Sequence, residues 1–280
     1  MKTHVLCVVF VILMILLICI TFLTYKSKTN IYSSKSKVCV LISGPFRDAN
    51  TKSVQSIIDN VIKPLNADVI VFTWKKNYKR NPYRRFKGGN YYDLTKSEEY
   101  EYDDKYIKML NPISVVKEVL KDPTEYYNGG FNKKLTLSNN HTPLSSIYMH
   151  YGWKRCFDLV EETNIKYDLV VRVRPDLMFN TKLQTNEITS LESIYISKNF
   201  TSESWKAMSD KFFICNVSNF KKILKVIDKY STYWLKDTEY LLKKYNIDNI
   251  IGEKMMRLHI YEMGLQKKVK VLKSPHFKIL

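Results

Sequence analysis

Residues 167–179, YDLVVRVRPDLMF, constrain this chain more than any other stretch. Branched apolar residues crowd the segment as they do in a fully buried strand, yet Arg172 and Arg174 interrupt it on alternate positions. Side chains alternate across a strand, so Leu169, Val171 and Val173 face one way while Val170, Arg172 and Arg174 face the other. An unpaired buried charge is costly, so these guanidinium groups require a partner or a ligand. In an open parallel α/β sheet, ligands bind beyond the carboxyl ends of the strands. Arg174 and Asp176 stand at that end, and Arg172 lies two residues further in. Two planar guanidinium forks beside a carboxylate can grip a diphosphate. They can equally hold one another, as an internal ion-pair cluster of Arg172 or Arg174 with Asp168, Asp176 or another acid.

The surrounding pattern supplies such a sheet. From Lys37 onward, short apolar runs alternate with helical stretches, the pattern of an α/β domain with a mostly parallel sheet. VCVLIS (38–43) reads as the first strand, and a helix capped by Asn50 follows until Pro64 stops it. DVIVFTW (68–74) completes a right-handed β-α-β unit. Residues 75–104 form a long excursion, first basic and tyrosine-rich, then acidic. ISVVKEV (113–119) reads as a third strand, and an amphipathic helix over 144–163 leads into the arginine-bearing strand. Short strands are expected at 193–197 and 211–215, and three helices, near 217–230, 233–245 and 250–264, close the chain.

Ahead of the domain, Val5–Leu23 is an uncharged apolar run, long enough to cross a bilayer core of roughly 30 Å. No small-residue cleavage site follows it, so the expectation is an uncleaved anchor over 1–24, a tether over 25–37 and one catalytic domain over 38–280. Lys26, Lys28, Lys35 and Lys37 favour a cytosolic domain by the positive-inside rule. Sequons at Asn140, Asn199 and Asn216 favour a lumenal one. The formal net charge of +18 points to an anionic partner: a phosphorylated small molecule, a membrane surface or nucleic acid. Cys39, Cys156 and Cys215 lie beyond the apolar run without metal-ligand spacing, which leaves room for one disulfide at most.

The turn after the first strand, SGPFRD, places Gly44, Arg47 and Asp48 at a strand's carboxyl end. Gly44 permits close approach of a backbone to a ligand. The turn is neither a Walker loop nor a dinucleotide fingerprint.

VCVLISGPFRD, DVIVFTW, SSIYMHYGWKRCFDLVEE running into YDLVVRVRPDLMF, SDKFFICN and GEKMMRLHI follow one another in an order that resembles a loose group of glycosyltransferases with GT-A-like folds. That group includes membrane-anchored and viral members, and the resemblance spans residues 38 to 265. It implies a GT-A-like, Rossmann-type sheet behind a single N-terminal transmembrane helix. It implies a nucleotide-sugar donor, transfer to a glycan or protein hydroxyl, and a type II membrane protein with its catalytic domain in the lumen. No nucleic acid is expected as a partner.

Many members of that group hold Mn²⁺ or Mg²⁺ at an Asp-x-Asp motif. Here that place reads Arg174-Pro175-Asp176, with a single carboxylate. Either Asp176 binds the metal together with the diphosphate, or Arg172 and Arg174 neutralise the leaving diphosphate without one. Gly44, Arg47, Arg172 and Arg174 become the donor-binding candidates and Asp176 a catalytic one. An inverting transfer also needs a base for the acceptor proton. Asp210 in SDKFF and Glu253 in IGEKMM are the candidates; as plain structural residues they would be a turn former and a favourable charge in a helix's first turn. Trp74 and Trp153 read as core aromatics, and His150 and His259, each on a helix with no second histidine at i+4, as core or surface residues rather than ligands. A different class of function, a basic nucleic-acid-binding or lipid-surface adaptor without catalysis, rests on the net charge and the basic, aromatic stretch 75–87.

Overall fold

A computed structural model describes residues 13–16, 32–46, 49–75, 77–78, 99–100, 104–120, 144–198, 210–229, 238–245 and 252–280. Among the described residues the strands longer than two residues are β1 (Val38–Ser43), β2 (Asp68–Trp74), β3 (Ser114–Glu118), β4 (Leu169–Val173), β5 (Leu177–Phe179), β6 (Ile194–Ser197), β7 (Phe212–Asn216), β8 (Val269–Leu272) and β9 (Phe277–Ile279). Seven of them form one sheet in the order β8-β6-β7-β4-β1-β2-β3. All pairings in it are parallel except those of β7, which runs against both β4 and β6. Helices flank the sheet, so the domain is mixed α/β with a mostly parallel sheet, as the alternating pattern requires.

Each face of the sheet has its own core. Cys39, Leu41, Ile70, Phe72, Val170, Phe213 and Cys215 lie on one face, packed with Trp153 and Phe157 of α3 (Leu144–Glu162), Phe220 of α4 (Val217–Leu224) and Met255 and Met256 of α6 (Gly252–Glu262). Val40, Ile42, Val69, Val71, Val171 and Val173 lie on the other, packed with Val54, Ile57 and Val61 of the first helix. α5 (Thr238–Tyr245) and the short α2 (Lys105–Met109) are the other α-helices among the described residues of the domain. Asn216 ends β7 and caps α4, its side chain accepting from the Asn219 N–H at 2.7 Å.

The first helix departs from the sequence expectation. α1 (Thr51–Ile57) starts on a capping box between Asn50 and Ser53, as the N-cap residue predicts. It then widens into a π-helical turn, Ile58–Ile62, and runs through Pro64 to Leu65. Pro64 has no N–H for the carbonyl of Asn60, four residues back. That carbonyl instead accepts the N–H of Leu183 at 2.9 Å, so the wide turn becomes a docking point. Asn66 ends the helix in the left-handed conformation, with φ 45°.

Two further corrections concern strands. The arginine-bearing strand ends at Arg174-Pro175-Asp176 as read, but Leu177–Phe179 is not loop: it forms β5, which leaves the sheet to pair antiparallel with β9. β8 and β9 lie in a tail for which the sequence reading stopped at helices. Of the excursion 75–104, the two-residue ladder of Asn77–Tyr78 with Glu99–Tyr100 is described, while the basic stretch beyond Tyr78 lies outside the described residues. No helix among the described residues is long and apolar enough to cross a membrane. Most of Val5–Leu23, where an anchor was expected, lies outside them, with residues 13–16 helical.

Candidate functional site

β1 is flanked by β2 on one side and β4 on the other, both parallel to it. The chain therefore leaves β1 in one direction and later returns on the opposite side, which makes this the topological switch point where open α/β sheets have their ligand crevice. The turns following β1 and β4 meet there. Gly44 adopts φ +129°, and a Cβ on it would stand 3.6 Å from Pro175 Cδ. Its N–H donates to the Phe72 carbonyl at 3.2 Å, which ties the turn to β2. Glycine alone holds this backbone without strain.

Arg174 and Asp176 rise from the second turn. The Arg174 guanidinium grips Asp176 with two parallel bonds, Nε to Oδ1 at 2.8 Å and Nη2 to Oδ2. The Asp176 residue is 4% exposed, whereas a fifth of the Arg174 side chain, 21%, remains accessible. The antiparallel β7 adds two more charges, because it begins where β4 ends. The Arg174 N–H donates to the Lys211 carbonyl at 3.2 Å. Asp210 Oδ1 accepts from Lys211 Nζ at 3.0 Å, and its Oδ2 lies 4.0 Å from Arg174 Nη1.

Arg172 lies one layer below this rim. It is 1% exposed, and its guanidinium stands over the Trp153 ring at 5.5 Å from the centroid. Nη1 donates to the Val173 carbonyl, Nε has no hydrogen-bond partner, and no carboxylate of the described residues is within ion-pair range. Burial brings its pKa down to about 9, so it still carries its charge at neutral pH. Ser43 Oγ at the end of β1 and Trp153 Nε1 are also buried without partners on this face. His150 packs edge-on to Trp153 at 4.7 Å and is fully buried, which lowers its pKa to about 3 and keeps it neutral.

The fold thus brings together Gly44, Arg172, Arg174, Asp176 and Asp210 of the residues singled out in the sequence. Arg172 is set beneath the surface, one layer under the rim. Asp168 plays no part, since its Oδ2 accepts the Lys37 N–H at 2.8 Å. Arg47 lies outside the described residues. Glu253 falls in the first turn of α6, and its side chain lies outside them. Lys211 escaped the sequence reading, because it is one charge in a lysine-rich chain. His150, His259, Trp74 and Trp153 all lie in the core, with His259 Nε2 2.8 Å from the Lys222 carbonyl. Cys39, Cys156 and Cys215 are free and buried.

The carboxylates are poorly disposed for a hard cation. Both Asp176 oxygens accept from Arg174, and one Asp210 oxygen accepts from Lys211. No group of three or more His, Cys, Asp or Glu suited to a metal occurs among the described residues. Among the described residues the donor set does not fit Mn²⁺ or Mg²⁺, which require several oxygen ligands.

No protein-family model matches the chain, and no curated protein matches its sequence. Among solved structures it is similar to core-mannan synthase A from Aspergillus fumigatus in an Mn/GDP form, with 9% identity and a TM-score of 0.47, over 91% of this chain and 78% of that one.

Proposed function

We propose that the chain is a glycosyltransferase of GT-A-like build that uses a nucleotide-sugar donor. The observation that carries this reading is the convergence of two turns and the start of an antiparallel strand on one crevice, with Gly44, Arg174, Asp176, Asp210 and Lys211 at its rim. The motif order noted in the sequence supports it. In the reaction, the bond from the sugar's anomeric carbon to the diphosphate breaks, and its electron pair leaves with the diphosphate. The acceptor hydroxyl oxygen bonds to that carbon and gives up its proton. Arg174 meets the charge that grows on the leaving group, with Arg172 adding its field from below. Asp176 holds the Arg174 fork in place. Asp210 takes the acceptor proton, with Glu253 as the alternative base. Gly44 lets the backbone approach the diphosphate, and Arg47 is a further donor-binding candidate.

The apolar run at 5–23 suits an N-terminal anchor, and the sequons suit a lumenal domain; both belong to the same proposal. A panel of nucleotide sugars, read by thermal shift and by hydrolysis of the donor, tests it. One donor should raise the melting temperature in a saturable way. A flat response across the panel, with binding to nucleic acid that falls steeply with salt, would place the protein in the other functional class.

A further inference from the structure

We propose, on the basis of the donor reading above, that this rim takes a diphosphate as a bare anion, without a divalent cation. In doing so, Arg174 exchanges its Asp176 partner for phosphate oxygens. The inference rests on how the charges are already committed. Asp176 is the single carboxylate of the β4 turn, and Arg174 occupies both its oxygens. The second carboxylate, Asp210, is held by Lys211 at 3.0 Å and lies 4.0 Å from Arg174. A dication placed on these oxygens would displace Arg174 and then face it, Lys211 and the buried Arg172 at close range.

An anion meets the opposite situation. Of the described residues, the five side chains at and below the rim carry three positive and two negative charges, and none of the described carboxylates is within ion-pair range of Arg172. Arg174 is the most accessible of them, and its planar fork, now matched to a carboxylate, matches two phosphate oxygens equally well. The carboxylate of Asp176 then serves as a holder that keeps the fork turned into the crevice until phosphate arrives. It is a positioning residue, not a metal ligand.

Calorimetric titration of the full chain with pyrophosphate, UDP and GDP tests this, in EDTA and again with Mn²⁺. At least one nucleoside diphosphate should bind in EDTA, with an affinity that Mn²⁺ changes by no more than about threefold. Arg174→Ala should weaken that binding about tenfold or more. Should that variant not fold, Arg174→Lys, which keeps the charge and loses the fork, should weaken it in the same direction. Asp176→Asn should tighten binding several-fold in EDTA, because it frees the fork and removes a negative charge. A nucleotide that binds only with Mn²⁺, and loses that binding in Asp176→Asn, overturns the metal-free inference and leaves the donor reading standing. Absence of binding by any of the three ligands in both conditions overturns the two together.

Discussion

The Arg172 guanidinium lies over the indole of Trp153, 5.5 Å from its centroid, and no carboxylate of the described residues is close enough to pair with it. A full charge held in this way makes a weak contribution to stability, since burial costs more than the ring returns. Arg172→Met, which fills a similar volume without charge, should therefore melt no lower than the wild type. The same change should weaken donor binding by removing the field beneath the rim. Thermal denaturation together with nucleotide titration checks both. A large fall in melting temperature would make Arg172 a structural residue.

Gly44 holds φ +129° against Pro175, where a Cβ would find ordinary contact distance but a strained backbone. Gly44→Ala should thus cost about 1–3 kcal/mol through the backbone alone. Because the turn carries one wall of the crevice, donor affinity should fall with it. Denaturant unfolding reports the first effect and calorimetry the second.

His150 couples stability to pH. Burial lowers its folded pKa from 6.5 to about 3, outweighing the opposing attraction of Asp210. The unfolded chain therefore binds a proton below pH 6.5 that the folded chain refuses, and stability is lost as pH falls through that window. His259 is lowered too, again chiefly by burial, and adds with the same sign. The loss from His150 should be about 2 kcal/mol between pH 7 and pH 5. Melting temperatures across that range should fall steeply in the wild type and less steeply in His150→Gln.

The two base candidates can be separated. Asp210→Asn should lower transfer by about a hundredfold or more while nucleotide binding persists, the signature of a lost general base. Glu253→Gln should leave the rate within a few-fold if its role is a favourable charge at the start of α6. Initial-rate measurements on both variants, with calorimetry as the binding control, decide between them. The reverse outcome would move the base to Glu253.

The cysteines should be silent in the native state. Cys39, Cys156 and Cys215 are buried and free, and burial pushes each thiol up, that of Cys156 to about 12. Alkylation followed by peptide mapping should leave all three unmodified until denaturant is added.

Much of this was legible locally. The period-two alternation placed Val170 and Arg172 on one face and Leu169, Val171 and Val173 on the other, as the two cores now divide them. Runs of branched residues marked six of the seven sheet strands, and Asn50 marked the start of α1. Such features are set within a few residues, by side-chain alternation and by capping, so they survive any tertiary arrangement. The direction and neighbours of β7 are of another kind. Its antiparallel course delivers Asp210 and Lys211 to the end of β4, and nothing in SDKFFICN states that direction. The same holds for β8 and β9, whose short, lysine-broken runs become strands only by pairing with β6 and β5. The pairing of Arg174 with Asp176 was one of several the sequence allowed, and only the turn at Pro175, seen in space, selected it. Pairing partners depend on contacts between distant segments, and their free energy is realised only once the whole sheet forms.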